Sequence, residues 1–253
     1  ECFIETDFLA LFEPSGKVQG PKFKEAIRSL KIANLKPDVF TNGYVPKINS
    51  YKHDFLSAIN DPSLDLNSPQ LTFNIFNLNI QIEHECVFPE FSTSFTSPKD
   101  PTRWGNSDGA SYTSCLPLIS RITSIIHSPP FNTLFTSSTT KLPLTTVLSR
   151  FAVATETSKK LIRIDLSGIP FEYKAREIIA NCIGRVLLNE SRKGTFSNKP
   201  IVVFLDEAHN FIGKSIGNED TLAKLDAFEL IAKEGRKFGL NICLATQRPR
   251  DIT

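Results

Sequence analysis

The sequence predicts an α/β fold, with a parallel sheet and flanking helices in residues 160–253 after a largely helical, loop-rich region. Two observations support this prediction. Strand-like and helix-like patterns alternate after residue 160, and an unbroken apolar run, Ile201–Leu205, ends in two carboxylates. Such a run is typical of a strand buried on both faces of a parallel sheet. Strands that alternate with helices form parallel sheets with right-handed crossovers.

Residues 1–159 are predicted to be an insertion or peripheral part of the domain. Apolar residues that recur every three or four positions indicate four helices, and Pro, Ser, Thr and Asn between them indicate loops. The expected helices are residues 21–31, 53–59, 116–127 and 144–154. Pro21 suits a first helical turn. Apolar alternation over residues 71–82 favours strands, with a phase change in the middle.

The single tryptophan, Trp104, follows Arg103 and precedes a Gly-containing turn. An exposed indole next to a cation could stack on a nucleobase. A solitary tryptophan in such a turn is more often a packing anchor, and we favour that interpretation.

In the core, residues 160–253, strands and helices are predicted to alternate strictly along the sequence. The expected strands are residues 161–166, 201–205 and 240–245, and the expected helices are residues 171–188 and 220–234. Gly235 would end the second helix. If the strands are neighbours, the polar residues that follow them meet at one edge of the sheet, where open α/β sheets bind ligands.

The amino-acid composition and net charge argue against several classes of protein. The 253 residues contain 40% hydrophobic and 22% charged residues, which is ordinary for a soluble globular protein. A net charge of +2 gives no bulk electrostatic reason for nucleic-acid binding, although a ring can still sum modest basic loops around a pore. No apolar run is long enough to cross a bilayer and no signal peptide is recognised, so no membrane association is expected.

Five cysteines, an odd number without a CxxC pair, indicate free thiols and a cytoplasmic location. Cys182 and Cys243 lie in apolar segments and are expected to be buried. The four histidines are dispersed without metal-ligand spacing. The chain starts at Glu1 and contains no methionine, so we expect it to be a piece of a longer protein.

Asp206 and Glu207 follow the apolar run directly. In P-loop ATPases an aspartate at this position holds Mg²⁺, and an adjoining glutamate can polarise the attacking water. We interpret the segment as a Walker B strand. The alternative is an ordinary strand that leaves the core with two surface carboxylates.

Two further residues are candidates for nucleotide chemistry. Gln247, at the tip of the neighbouring predicted strand, could contact the γ-phosphate and report hydrolysis; otherwise it is a strand-ending glutamine before Pro249. Arg236 follows a predicted helix, where the macrodipole stabilises any cation. It could instead be an arginine finger that reaches the nucleotide of the next subunit in a ring.

The segments Asp206-Glu207-Ala208-His209 and Ala245-Thr246-Gln247-Arg248-Pro249 closely resemble the HerA family of hexameric DNA-translocating ATPases. The resemblance extends over residues 201–212, 229–241 and 245–249, and residues 164–168 also look like that family's strand before Walker B; residues 12–30 show a weaker likeness. It implies a RecA-like fold, a homohexameric ring, ATP and Mg²⁺ as cofactors, and double-stranded DNA in the pore.

Carried over by position, the resemblance makes Asp206 the Mg²⁺ ligand and Glu207 the catalytic base. It makes Gln247 the sensor and Arg236 the finger that acts on a neighbouring subunit. His209 follows the acidic pair as in many members, without a role that the sequence reveals.

The chain departs from this family in one important respect, because it contains no GxxxxGK[ST] phosphate-binding loop. Gly16-Lys17 does not qualify, since Leu11 and Val18 stand where a glycine and a Ser or Thr are required. We therefore expect the chain alone not to hydrolyse ATP, whereas the whole protein does.

Two functions are compatible with these residues. The first is an ATP-dependent DNA translocase or helicase subunit, coupled to a partner nuclease or effector in DNA end processing or phage defence. The second is an ATP-gated assembly scaffold for a toxic effector, with little motor activity. A monomeric DEAH-box helicase fits poorly, because such proteins have Ser-Ala-Thr where this chain has Ala-Thr-Gln-Arg-Pro.

Overall fold

The computed structural model describes residues 3–66, 68, 72–94, 97–136, 142–153, 161–169, 172–216 and 223–251. The chain forms two compact units, Phe3–Phe135 and Thr136–Thr253. The helix near residue 150, which the sequence analysis assigned to the N-terminal part, belongs to the second unit. Along the described stretches, no helix is both long and apolar enough to cross a membrane.

The first unit is built from helices packed around an aromatic and aliphatic core. Its helices in the described residues are α1 (Glu5–Phe12), α2 (Gly16–Leu35), α3 (His53–Ile59), α4 (Leu78–Glu85), α5 (Gly109–His127) and α6 (Pro129–Phe135). Helix α2 packs against both α4 and α5. Phe12, Phe23 and Ile27 are fully buried in this core.

Helix α2 starts one turn earlier than predicted, at Gly16 instead of Pro21. The Gln19 side chain explains the difference, because its Oε1 accepts the backbone N–H of Ser15 at 2.9 Å. A helix start needs such an acceptor for its unpaired N–H groups. The Nε2 of Gln19 also donates to the Ser114 carbonyl at 2.8 Å, which joins α2 to α5.

Strands were predicted over residues 71–82, of which residue 71 lies outside the described residues. Over residues 72–82 the prediction is wrong, because a short 3₁₀ turn leads into α4 here. Ile75, Leu78 and Ile82 are spaced by three and four residues, and all three are buried. That spacing places them on one helical face. Asn74 caps the start, since its Oδ1 accepts the Phe76 N–H at 3.1 Å.

A buried ion pair lies between Lys47 and Glu85, whose side chains are 7% and 2% exposed, with 2.6 Å from Nζ to Oε2. Ser29 and Gln81 donate to the other oxygen, Oε1, at 2.6 and 2.9 Å. Lys47 also lies 5.2 Å from the centre of the Trp104 ring. The indole is therefore packed within the unit, as we favoured from the sequence.

We expect Lys47→Met to lower the free energy of unfolding of the first unit by about 3–5 kcal/mol, because Glu85 would stay buried without its counter-charge. The matched control is Lys36→Met, which removes a partly exposed pair with Asp61 of similar length, 2.8 Å. Exposed pairs contribute little. Urea unfolding followed by Trp104 fluorescence measures both variants, and equal losses would contradict the expectation.

The second unit combines helices with short strands. Its elements in the described residues are α7 (Leu144–Val153), α8 (Ala175–Arg192), β1 (Ile201–Leu205), β2 (Lys214–Ile216), β3 (Ala223–Leu225), α9 (Ala227–Glu234) and β4 (Leu240–Leu244). Strand β1 pairs in parallel with β4, and β2 pairs antiparallel with β3. The parallel neighbours predicted from the sequence are thus present in a mixed helix and strand unit.

The parallel sheet is narrower than predicted, because residues 161–166 form no strand although the structure describes all of them. Ile162 and Leu166 pack on the core, whereas Leu161 and Ile164 are 77% and 44% exposed. Burial therefore does not follow the period of two that a strand requires, because Ile164, midway between the two core residues, is exposed. Side-chain periodicity alone does not require a hydrogen-bonded neighbour.

One face of β1 is open, which corrects the prediction of a strand buried on both faces. Ile201, Val203 and Leu205 pack against the core, while Phe204 on the other face is 75% exposed. Cys243 on β4 is exposed for the same reason, although Cys182 in α8 is buried as expected.

Helix α9 begins at Ala227, seven residues later than predicted, after β3. Asn181 of α8 fixes this start, because its Oδ1 accepts the Ala227 N–H at 3.0 Å. The helix ends at Glu234 with Gly235 as its C-cap, as predicted, and the chain continues in a 3₁₀ turn and reverses at Gly239, whose φ is +75°. A Cβ on Gly239 would lie 2.4 Å from the Phe196 carbonyl oxygen, so only glycine fits.

Candidate active site at the ends of two parallel strands

The ends of β1 and β4 lie side by side at one edge of the sheet. Leu205 pairs with Leu244 at the last position of the parallel ladder. Two backbone hydrogen bonds extend this pairing beyond the strands: Ala245 N–H donates to the Leu205 carbonyl at 3.0 Å, and Ala208 N–H donates to the Ala245 carbonyl at 2.9 Å. The acidic pair and Gln247 therefore follow adjacent strands at the same carboxyl edge, where parallel sheets bind ligands.

Asp206 and Glu207 leave β1 through a tight turn. Glu207 has a left-handed backbone, with φ of 48° and ψ of 46°. This conformation costs a residue other than glycine roughly 1–2 kcal/mol. The Asp206 carboxylate supports it, because Oδ1 accepts the Glu207 N–H at 3.0 Å. Backbone outliers of this kind cluster at functional sites, which makes the turn a candidate site.

His209 connects the two strand ends. Its Nδ1 lies 3.1 Å from Oγ1 of Thr246 and 3.2 Å from Oε2 of Glu207, and its side chain is 14% exposed. Thr246 Oγ1 also accepts the Arg248 N–H at 3.0 Å. Oε2 of Glu207 is buried, and its contact with His209 lacks the geometry of a hydrogen bond. The sequence reveals no role for His209, and it places Thr246 beside Gln247 at the tip of the strand without indicating its contact with His209.

Gln247, the residue after Thr246, has an exposed side chain at this edge of the sheet, whereas Arg236 is not at this edge. Arg236 is exposed in the 3₁₀ turn that precedes β4. The strand between the two residues spans about 16 Å at ~3.3 Å per residue. Arg236 is thus at the opposite edge of the sheet and does not join Asp206 and Gln247 within one chain.

Asp165 lies in residues 161–166, where a strand was predicted and none is formed. Its Oδ1 accepts the Ser167 N–H at 2.8 Å, and the backbone and side-chain hydrogen bonds from Ser167 hold the pKa of Asp165 below its usual value. Arg163 lies 3.6 Å from the same carboxyl group. The hydrogen bonds of Asp165 therefore stabilise a local turn, and we assign it no part in the site.

The donor set fits a magnesium ion only in company with other ligands. In the described parts of the chain, no group of three or more His, Cys, Asp or Glu side chains could hold a metal. Asp206 is exposed and commits Oδ1 to its own turn. Mg²⁺ is commonly held by one or two carboxylates together with substrate phosphates and water. Asp206 could contribute one such carboxylate.

Part of the chain is similar to known helicases. It is 37% identical over 81 residues to the DNA double-strand break repair helicase HerA of Saccharolobus solfataricus, which covers 30% of this chain. It is 34% identical over 83 residues, or 31% of this chain, to a probable helicase of Methanocaldococcus jannaschii. The chain spans 15% of the length of each relative. No family model matches.

These similarities support a HerA-like, helicase-related character for the matched part of the chain. The similarities cover less than a third of the chain, and they indicate the same class of protein as the motifs at the ends of β1 and β4.

Proposed function

We propose that this chain is part of a HerA-like ATPase, an ATP-dependent DNA translocase or helicase. In this proposal residues 160–253 belong to a RecA-like core, and residues 1–159 are an insertion or peripheral part of the same domain. One observation carries the proposal: parallel strands β1 and β4 end side by side, one in Asp206-Glu207 and the other in Thr246-Gln247. The partial similarity to two helicases supports the same class.

Each site residue has a distinct proposed role. Asp206 holds the Mg²⁺ that accompanies ATP, directly or through water, and bound Mg²⁺ would supply positive charge to the phosphates. Glu207 is the base that orients and deprotonates the attacking water, and Gln247 contacts the γ-phosphate end of the site. Its exposed position at the strand tip suits contact with a ligand.

Arg236 acts on a neighbouring subunit in this proposal. It is exposed at the sheet edge opposite to Asp206, so its own chain offers it no nucleotide to contact. A homohexameric ring would bring it to the next subunit's site, where an arginine stabilises transition-state charge.

The proposed site needs a phosphate-binding loop that the 253 residues do not contain. We propose that this loop comes from sequence outside the chain, and that the chain alone does not hydrolyse ATP. The whole protein would act in the cytoplasm on double-stranded DNA, with a partner nuclease or defence effector that uses the DNA it moves.

The decisive experiment is ATP hydrolysis by the purified full-length protein, measured with and without linear double-stranded DNA. We expect Mg²⁺-dependent hydrolysis that DNA stimulates, with directional movement along the duplex. Hydrolysis without any response to DNA would favour the assembly scaffold over the motor. A protein that hydrolyses no ATP in either condition would contradict the proposal.

A further inference from the structure

His209 makes a side-chain contact between the turn after β1 and the turn after β4. Its Nδ1 is 3.1 Å from Thr246 Oγ1 and 3.2 Å from Glu207 Oε2. The His209 side chain is 14% exposed, so other protein atoms cover most of the ring surface. The backbone pairing ends at Ala208 and Ala245, one residue before these side chains. The histidine therefore continues the connection between the strands beyond their last backbone hydrogen bonds.

Thr246 makes two contacts at this point. Its Oγ1 accepts the Arg248 N–H at 3.0 Å and lies within hydrogen-bond distance of His209 Nδ1. A hydroxyl has one hydrogen to donate and two lone pairs with which to accept, so Thr246 can serve both partners with either tautomer of the imidazole. The threonine therefore joins His209 to the backbone of the turn after β4.

We propose that His209 is a positioning residue for ATP hydrolysis, an inference that rests on the function proposed above. Through Thr246 it fixes the backbone that carries Gln247, and through van der Waals contact it limits the position of the Glu207 carboxylate. The γ-phosphate contact and the base are thereby held as one unit.

The loss of kcat expected on removing His209 can be estimated from the displacement of the catalytic groups. Displacing a catalytic group by about 1 Å can cost on the order of 10²-fold in rate. Removing His209 loosens the connection without removing a backbone hydrogen bond, since Ala208 and Ala245 keep theirs. We therefore expect a loss of about 10- to 100-fold in kcat. ATP affinity should change less than about twofold, because His209 does not touch the nucleotide in this proposal.

A double-mutant cycle in the full-length protein tests this coupling. The variants are His209→Ala, Thr246→Val and the double variant, and Thr246→Ser restores a hydroxyl at the same place. We expect both single variants to lower kcat, the double variant to be no slower than the worse single one, and Thr246→Ser to regain most of the rate lost in Thr246→Val. Thr246→Val keeps the side-chain shape, and thermal unfolding verifies that each variant folds.

The outcomes separate this inference from the proposed function. If the wild-type protein hydrolyses ATP and either single variant keeps the wild-type kcat, the positioning role is wrong and the ATPase stands. Losses that multiply in the double variant, or a large rise in the Kd for ATP, would also overturn it. A wild-type protein without ATP hydrolysis would overturn both.

Discussion

Glu207→Gln in the full-length protein is expected to abolish ATP turnover while ATP binding is retained. Gln has the shape of Glu but cannot accept a proton, so the attacking water loses its base. General-base catalysis contributes typically about 10²–10⁴-fold, and we expect kcat to fall within or beyond that range. The left-handed turn at Glu207 should be kept, because the backbone N–H still donates to Asp206. Steady-state hydrolysis and equilibrium binding of ATP measure the two quantities.

The matched control for this substitution is Glu172→Gln, which changes an exposed glutamate of the same unit before α8. It should leave kcat and the Kd for ATP at wild-type values. Unchanged hydrolysis by Glu207→Gln would remove Glu207 from the role of base. A loss of ATP binding in that variant would instead assign it to the binding of nucleotide.

Arg236→Ala is expected to reduce hydrolysis in the assembled ring by about 10³-fold or more, the usual contribution of an arginine finger. The reason is its position: Arg236 is exposed at the end of β4 that lies away from Asp206. An arginine there can serve only a site on another subunit. ATP binding by each subunit should persist. Mixing Arg236→Ala and Glu207→Gln subunits should restore part of the activity, because some interfaces then combine an intact finger with an intact base.

Lys237→Ala provides the control, because Lys237 is the next exposed cation in the same 3₁₀ turn. It should not affect hydrolysis, which excludes a general effect of lost charge at this surface. Mixed rings without any recovery would argue against a finger that acts across subunits. Full activity of Arg236→Ala would contradict the role as a finger. Arg236 would then be only a cation near the C-terminal end of α9, where the helix dipole stabilises positive charge.

The central part of the site could be predicted from the sequence because its signal is local. An apolar run that ends in charge specifies a strand and its exit, as Ile201–Leu205 and Asp206 illustrate. Two strands connected through a helix favour parallel pairing. The observed parallel pairing of β1 with β4 agrees with this rule, although β2 and β3 also lie between them in the sequence.

Other elements could not be predicted because their signals depend on distant partners. Residues 161–166 have the alternation of a strand, yet hydrogen bonds around Asp165 and Ser167 form a turn at their end. The start of α9 depends on Asn181, which lies 46 residues away in α8. Residues 71–82 have apolar positions that suit either period, and burial against the neighbouring helices selects the helical one.

The contact between His209 and Thr246 could not be predicted from the sequence either. The two residues are 37 positions apart, and a hydrogen bond between side chains leaves no periodic pattern. The available signal was that both residues closely follow neighbouring strands, His209 after β1 and Thr246 after β4, whose last residues Leu205 and Leu244 are paired.

The measurement that tests the central claim most directly is the structure of the full-length protein with Mg²⁺ and a non-hydrolysable ATP analogue. We expect the γ-phosphate beyond the carboxyl ends of β1 and β4, with Asp206 at the Mg²⁺ directly or through water and Gln247 facing the γ-phosphate. A nucleotide bound at the opposite edge of this sheet, or in another part of the protein, would contradict the assignment of Asp206, Glu207 and Gln247 to an ATPase site.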